Sequence, residues 1–190
     1  MRLGLLGGTF DPIHFGHLAV AEAVRYEMGL DKVYFIPSGQ PPHKKRKVAP
    51  AEHRLAMVRL AVASNPYFEV STVEIERPGP SYTVDTVKEF RRLFPQAEIF
   101  FILGMDALAE FLTWHRVEEL LTLCHFVVAT RPGYPSAVKG GRGRRVTVLP
   151  VPGVAVSSTE IRERVRAGKP IKYLLPEAVE EYIYAHGLYQ

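Results

Sequence analysis

The sequence predicts a doubly wound α/β architecture, a parallel sheet with helices on both faces, and three observations carry that prediction. Short runs apolar at nearly every position (LGLL at 3–6, VYFIP at 33–37, EIFFILG at 98–104 and HFVVAT at 125–130) alternate with segments of helical periodicity. Strands apolar throughout are buried on both faces, as parallel strands covered by crossover helices must be. The first run ends in Gly7-Gly8, a glycine turn leading toward a helical pattern.

In chain order, residues 3–6 read as a buried strand running into a tight turn. Apolar residues at 18, 20, 21 and 24 give a helix over 16–28, with Gly29 as its stop. The strand at 33–37 precedes a loop rich in Pro and Lys, then a helix over roughly 51–63. A strand-rich stretch over about 68–76 and a helix over about 84–93 follow. Residues 98–104 are the most hydrophobic strand, and 125–130 are another. After a loop rich in Gly and Arg (139–145) come a strand at 146–150 and helices over about 158–167 and 176–186. The expected organisation is one Rossmann-like domain over residues 1–190, with 157–190 as a small C-terminal helical part.

A chain of 190 residues with 47% hydrophobic and 23% charged residues can bury one sizeable core. No apolar run approaches the roughly 18 residues of a membrane span, and the N-terminus has no signal-peptide pattern, so a cytoplasmic protein without a membrane partner is expected. Cys124, the single cysteine, lies in LLTLCHFVVA and reads as buried and inert. The net charge of +4 is concentrated in two clusters, Lys44 to Lys47 and Arg142 to Arg145. They suit solvated loops or the steering of an anionic substrate; a nucleic-acid module would leave the paired histidines below unexplained.

In a doubly wound sheet, ligands bind beyond the carboxyl ends of the strands. The places to look are therefore Gly7 to Phe10, Ser38 to His43, Gly104 to Asp106 and Thr130 to Gly133. The stretch GGTFDPIHFGHL (7–18) offers three readings: a metal site, a phosphate site or a plain turn. Neither G-x-G-x-x-G nor a P-loop follows the first strand. Zinc would want further ligands, and neither H-E-x-x-H nor a cysteine pair is present. Gly7 and Gly8 let the backbone approach an anion, the helix start presents its positive end, and His14 and His17 can point into the same space as donors.

GGTFDPIHFGHL resembles the H-x-G-H signature of the nucleotidyltransferase superfamily, and within it the bacterial nicotinate-nucleotide adenylyltransferases. PSGQPPHK (37–44), EIERPGPSYTVDT (74–86), ILGMDAL (102–108), FLTWHRVEELL (111–121), RPGYP (131–135) and VSSTEIRERVRAG (156–168) agree with that family along almost the whole chain. H-x-G-H names only the superfamily; the combination of SYT, D-x-L, TW and SST-x-IR is much more specific.

The resemblance implies transfer of the adenylyl group of ATP to nicotinate mononucleotide, giving nicotinate adenine dinucleotide and pyrophosphate in NAD biosynthesis. The related alternatives are nicotinamide mononucleotide or another phosphate ester, such as phosphopantetheine, as the acceptor. The resemblance further implies Mg²⁺ carried with ATP, no protein metal site, no nucleic-acid partner, and allows a homo-oligomer. His14, His17 and Arg162 are the implied catalytic residues. Gly8, Thr9, Phe10, Gly104, Arg131, Ser157, Ser158 and Thr159 are implied on the ATP side. His43, Lys44, Tyr82, Thr83, Asp106 and Trp114 are implied on the mononucleotide side, with Trp114 stacking on the pyridine ring and Asp106 accepting from a ribose hydroxyl. Asp11 is read as a turn residue. His115 departs from the family, many members of which carry an aromatic residue beside the tryptophan.

Overall fold

The computed structural model describes residues 1–41, 48–104, 107, 111, 113–130 and 146–190. Six strands, β1 (Arg2–Gly8), β2 (Lys32–Pro37), β3 (Phe68–Val70), β4 (Glu98–Gly104), β5 (His125–Thr130) and β6 (Val146–Pro150), form one sheet in the order β3-β2-β1-β4-β5-β6. All neighbouring pairs are parallel. The sheet grows outward from β1 in both directions, so strand order reverses between β1 and β4, where a crevice opens beyond the carboxyl ends. The described helices are α1 (Phe15–Glu27), α2 (Ala51–Val62), α3 (Val73–Glu76), α4 (Thr83–Leu93), α5 (Val117–Leu123), α6 (Ser158–Arg166) and α7 (Glu177–Ala185).

Side chains alternate across a strand, so each central strand feeds two cores. On one face Leu3, Leu5 and Phe101 pack with Val84, Val87 and Phe90 of α4 and Leu120 of α5. On the other, Leu6, Phe35, Phe100 and Ile102 pack with Ala21 of α1, Met57 of α2, Ile161 of α6 and Ile183 of α7. The sheet is thus covered on both sides, as the uninterrupted apolar strands require. Cys124 is buried, with its thiol 3.7 Å from the Leu120 carbonyl. No helix among the described residues is long and apolar enough to cross a membrane.

One stretch differs from the sequence expectation. The strand-rich segment at 68–76 divides: only Phe68–Val70 pairs with β2, and Val73–Glu76 turns helical. The β-branched pair Thr72-Val73 favours a strand locally, but the turn brings Glu74 inward to accept a hydrogen bond from Thr86 of α4 (2.7 Å), so tertiary context overrides propensity. Thr113 and Trp114 lie in a turn that ends at Arg116 (φ 55°) and leads into α5 at Val117.

The far end of the chain returns to the front of the sheet. Gly187, at φ 59°, stops α7 in a Schellman arrangement: the Leu188 N–H donates to Ile183 O (3.0 Å) and the Gly187 N–H to Tyr184 O (3.3 Å). The reversal carries the Tyr189 hydroxyl to Asp11 Oδ1 at 2.7 Å.

Candidate active site

A cleft of about 630 Å³ opens at the carboxyl ends of the central strands. Gly8 at the end of β1, Thr9 just beyond it, Ser38 after β2, Gly104 of β4 and Thr130 of β5 all line it.

The turn from β1 to α1 is held in a shape its own sequence does not favour. Phe10 is buried at φ 48°, a left-handed conformation that costs a non-glycine residue about 1 kcal/mol or more. Remote side chains grip the turn carbonyl by carbonyl. Arg54 Nη1 donates to Thr9 O (2.8 Å), Arg162 Nη1 to Asp11 O (2.8 Å) and Ser158 Oγ to Pro12 O (2.8 Å). The Asp11 carboxylate accepts from Tyr189 and from the Ala49 N–H (3.3 Å). Asp11 is therefore built into the turn and does not line the cleft.

His14 is the N-cap of α1, and the two histidines cap the helix reciprocally. The Gly16 N–H donates to His14 Nδ1 (3.1 Å), and the His14 N–H donates to His17 Nδ1 (3.2 Å). The rings stack 3.8 Å apart. Each Nδ1 is an acceptor, so each neutral ring carries its proton on Nε2 as a donor. Burial, and then the neighbouring His14, push the His17 pKa down to about 3, so His17 is a neutral donor at physiological pH. The Phe15 N–H is taken by Leu174 O (3.1 Å) and the His17 N–H by His14 O (3.0 Å). The first turn of α1 thus offers imidazole donors to the cleft rather than free amides. Glycine is required between the histidines because a Cβ at Gly16 would stand 2.9 Å from the His14 ring.

The SST segment begins α6, and each of its hydroxyls has a partner inside the protein. Ser157, the N-cap, accepts from the Glu160 N–H (3.1 Å), and Ser158 holds Pro12 O. Thr159 accepts from Arg162 Nη2 (3.0 Å). Ser157 and Ser158 line the cleft. Phe10, Thr159 and the buried Arg162 stand behind its wall, where Phe10 packs edge-on against the His17 ring (5.1 Å). The N–H groups of Ser158 and Thr159 have no partner among the described residues.

Across the cleft stand Tyr82, Thr83 and Trp114. Tyr82 is the N-cap of α4 without a side-chain cap, so the N–H groups at 82–84 have no partner among the described residues. Trp114 rests edge-on against Phe101 (6.1 Å) and Phe111 (5.6 Å) and is half-buried. His115, the departure from the family pattern, is exposed and stacks on Tyr82 at 4.4 Å. Three residues here are given no role by the sequence, although Ser38 and Gly39 fall in a strand-end stretch that it singles out. Ser38 Oγ is buried without a hydrogen-bond partner among the described residues and lines the cleft. Glu74 is buried on the same wall; burial raises its pKa, against hydrogen bonds from Thr86 and Ser81 and the nearby Arg77. Gly39 lies so close to Glu74 that a Cβ would overlap the Glu74 carbonyl oxygen.

His43, Lys44, Asp106 and Arg131, and both basic clusters, lie outside the described residues. Among the described residues no three His, Cys, Asp or Glu side chains converge as a metal site.

A parallel sheet with paired imidazoles at its switch point defines a nucleotide-binding class, and the family model described as cytidylyltransferase-like matches residues 5–164. A Moorella thermoacetica protein named "Probable nicotinate-nucleotide adenylyltransferase" is 57% identical over 100% of this chain and 92% of its own length. A Thermoanaerobacter protein of the same name is 53% identical over 100% of this chain and 95% of its own. The structure of Plasmodium falciparum nicotinic acid mononucleotide adenylyltransferase complexed with NaAD superposes with a TM-score of 0.82 over 99% of this chain and 97% of its own; at 20% identity that likeness speaks for the fold. The chain belongs to the cytidylyltransferase-like family and, within it, to the nicotinate-nucleotide adenylyltransferases.

Proposed function

We propose that this cleft carries out its family's reaction through the residues described above. The enzyme is a nucleotidyltransferase of NAD biosynthesis that moves the adenylyl group of ATP onto nicotinate mononucleotide and releases pyrophosphate. The observation that carries the residue assignment is the reciprocal imidazole cap at the switch point, opposite an uncapped helix start beside a tryptophan.

The attacking group is the 5′-phosphate oxygen of the mononucleotide, ionised at neutral pH, so no general base is needed. The work is positioning and stabilisation of charge around the α-phosphorus. His14 and His17 direct Nε2–H donors at the α-phosphate oxygens and the departing pyrophosphate. Gly8 and Thr9 give the nucleotide a close backbone approach, Gly104 leaves room above β4, and the free amides of Ser158 and Thr159 face the polyphosphate. Phe10 and Arg162 act from behind the wall, keeping His17 and the Asp11 turn in place.

On the acceptor side the free amides of Tyr82 and Thr83 bind the nicotinate carboxylate, and Trp114 stacks on the pyridine ring, an interaction contributing about 0.5–1.5 kcal/mol beyond area burial. His43, Lys44 and Asp106 keep the acceptor-side roles implied by resemblance, and Arg131 the ATP-side one. The only carboxyl on the described cleft wall, Glu74, is engaged by Thr86 and Ser81. That donor set suits Mg²⁺ arriving on ATP, where it would supply charge neutralisation for the polyphosphate.

The test is pyrophosphate release from Mg-ATP with nicotinate mononucleotide, nicotinamide mononucleotide and phosphopantetheine in parallel. Turnover fastest with the nicotinate form is expected. Preferred turnover of phosphopantetheine would overturn the acceptor assignment.

A further inference from the structure

We infer that Arg54 is a positioning residue that couples the loops carrying the two substrates, an inference that rests on the reaction assigned above. Arg54 lies in α2, is 2% exposed and does not line the cleft. Its guanidinium meets three backbone carbonyls: Nη1 donates to Thr9 O at 2.8 Å, Nε to Ala49 O at 2.9 Å and Nη2 to Gly39 O at 3.3 Å. Thr9 belongs to the turn that carries His14 and His17. Gly39 opens the loop after β2, on the acceptor side.

The linkage continues beyond Gly39. The Gly39 and Gln40 N–H groups donate to Ser81 Oγ (3.0 and 3.3 Å), and the Ser81 N–H donates back to Gln40 O (3.1 Å). Ser81 precedes the open amides of Tyr82 and Thr83, and its hydroxyl is hydrogen-bonded to the buried Glu74. A continuous chain of hydrogen bonds therefore runs from the imidazole turn through Arg54, Gly39 and Ser81 to the acceptor pocket. Gly39 has no space to slide toward Glu74, so the segment is clasped from both sides.

The planar fork of arginine suits this task, because one side chain reaches three carbonyls in different directions; the single ammonium of lysine is a point donor on a flexible stem. What Arg54 fixes is the distance between two separately bound substrates. In-line transfer needs reacting atoms about 3–3.5 Å apart, and a displacement of about 1 Å costs roughly 10²-fold in rate. Loss of the fork should therefore damage the chemical step while each substrate still binds its own loop.

The experiment compares wild type with Arg54→Lys, Arg54→Ala and Gly39→Ala, the last displacing the loop with Arg54 intact. It reads kcat with Mg-ATP and nicotinate mononucleotide, the Kd of the mononucleotide alone and of a non-hydrolysable ATP analogue alone, and Tm. The expected result for Arg54→Lys and Gly39→Ala is a kcat lower by roughly 10²-fold with each Kd changed by less than about threefold. Millimolar methylguanidinium should partly restore Arg54→Ala. A kcat that falls only with the folded fraction, or Kd values that rise as far as kcat falls, would overturn the coupling role, and so would an unchanged kcat. Absence of turnover in the wild type would instead overturn the assigned reaction. If Arg54→Ala does not fold, the other two variants carry the test.

Discussion

Two helix starts open into the same cleft, and they are finished in opposite ways. At α1 the Phe15, Gly16 and His17 amides are all consumed, by Leu174 O, His14 Nδ1 and His14 O, so what reaches the cleft is a pair of stacked imidazoles. At α4 the N-cap Tyr82 makes no side-chain cap, and the amides of the cleft-lining Tyr82 and Thr83 have no partner among the described residues. A closed start whose donors are fixed by their own helix needs no reorganisation as charge develops, which suits a transition state. An open start binds a charge that is already present, which suits recognition of a ground-state carboxylate. The first end should therefore govern kcat and the second the choice of acceptor.

The largest effect that can break this comparison is at His17. Replacing it with alanine removes one oriented donor and should lower kcat by roughly 10²–10³-fold, as loss of a single oxyanion-type donor does. Steady-state kinetics with both substrates should show KM for nicotinate mononucleotide little changed. A rise in that KM with kcat intact would move His17 to the recognition side and erase the distinction.

A smaller effect tests the open start. Thr83 is the first residue of α4, where proline fits the helix and removes, besides the hydroxyl, an N–H that has no partner among the described residues, and Tyr82 (φ −95°, ψ 130°) already has the backbone that precedes proline comfortably. A hydrogen bond to a charged group contributes about 1.5–3 kcal/mol, so Thr83→Pro should raise KM for nicotinate mononucleotide by about 10-fold or more. Nicotinamide mononucleotide, which lacks the carboxylate charge, should be affected much less, and Thr83→Ala separates loss of the hydroxyl from loss of the amide. Equal penalties on both acceptors would show that this N–H does not read the carboxylate.

The same contrast explains what was legible in the sequence. The strands at 98–104, 125–130 and 146–150 and most helices follow directly from apolar period and from glycine and proline punctuation. The turn residues and imidazoles announce themselves because their types are unusual at that spacing. Arg54, Gly39, Ser38 and Glu74 do not, because each acts through contacts with elements distant in sequence, and an arginine in AEHRLAMVRL reads as a solvated helix residue until the fold buries it. The SST hydroxyls are half legible. Their types place them on the ATP side, and the fold adds what the types do not say: each also has a partner within the protein, one of them gripping the signature turn. The short helix at 73–76 hides for the same reason, since only the packing of Glu74 under α4 reveals it.

The smallest effect is read in stability rather than rate, and it tests how closed the α1 start is. His17 titrates at about 3 in the folded protein, whereas an unfolded histidine titrates near 6.5. Between those values the unfolded chain binds a proton that the folded chain refuses. This residue's contribution to stability is therefore complete above about pH 6.5 and declines as pH falls toward 3, by at most about 1.4 kcal/mol per pH unit. Glu74 works in the opposite sense, because burial raises its pKa and protonation favours the folded state, but it is common to wild type and variant. In His17→Asn, whose amide oxygen can still accept the His14 N–H, the decline due to His17 is removed. Urea midpoints at pH 7, 6, 5 and 4 should show the wild type losing stability faster than the variant, so that any deficit of the variant at pH 7 shrinks with acid. Parallel curves would mean that His17 accepts a proton in the folded state, and that the donor pair at the start of α1 is less sealed than its reciprocal caps imply.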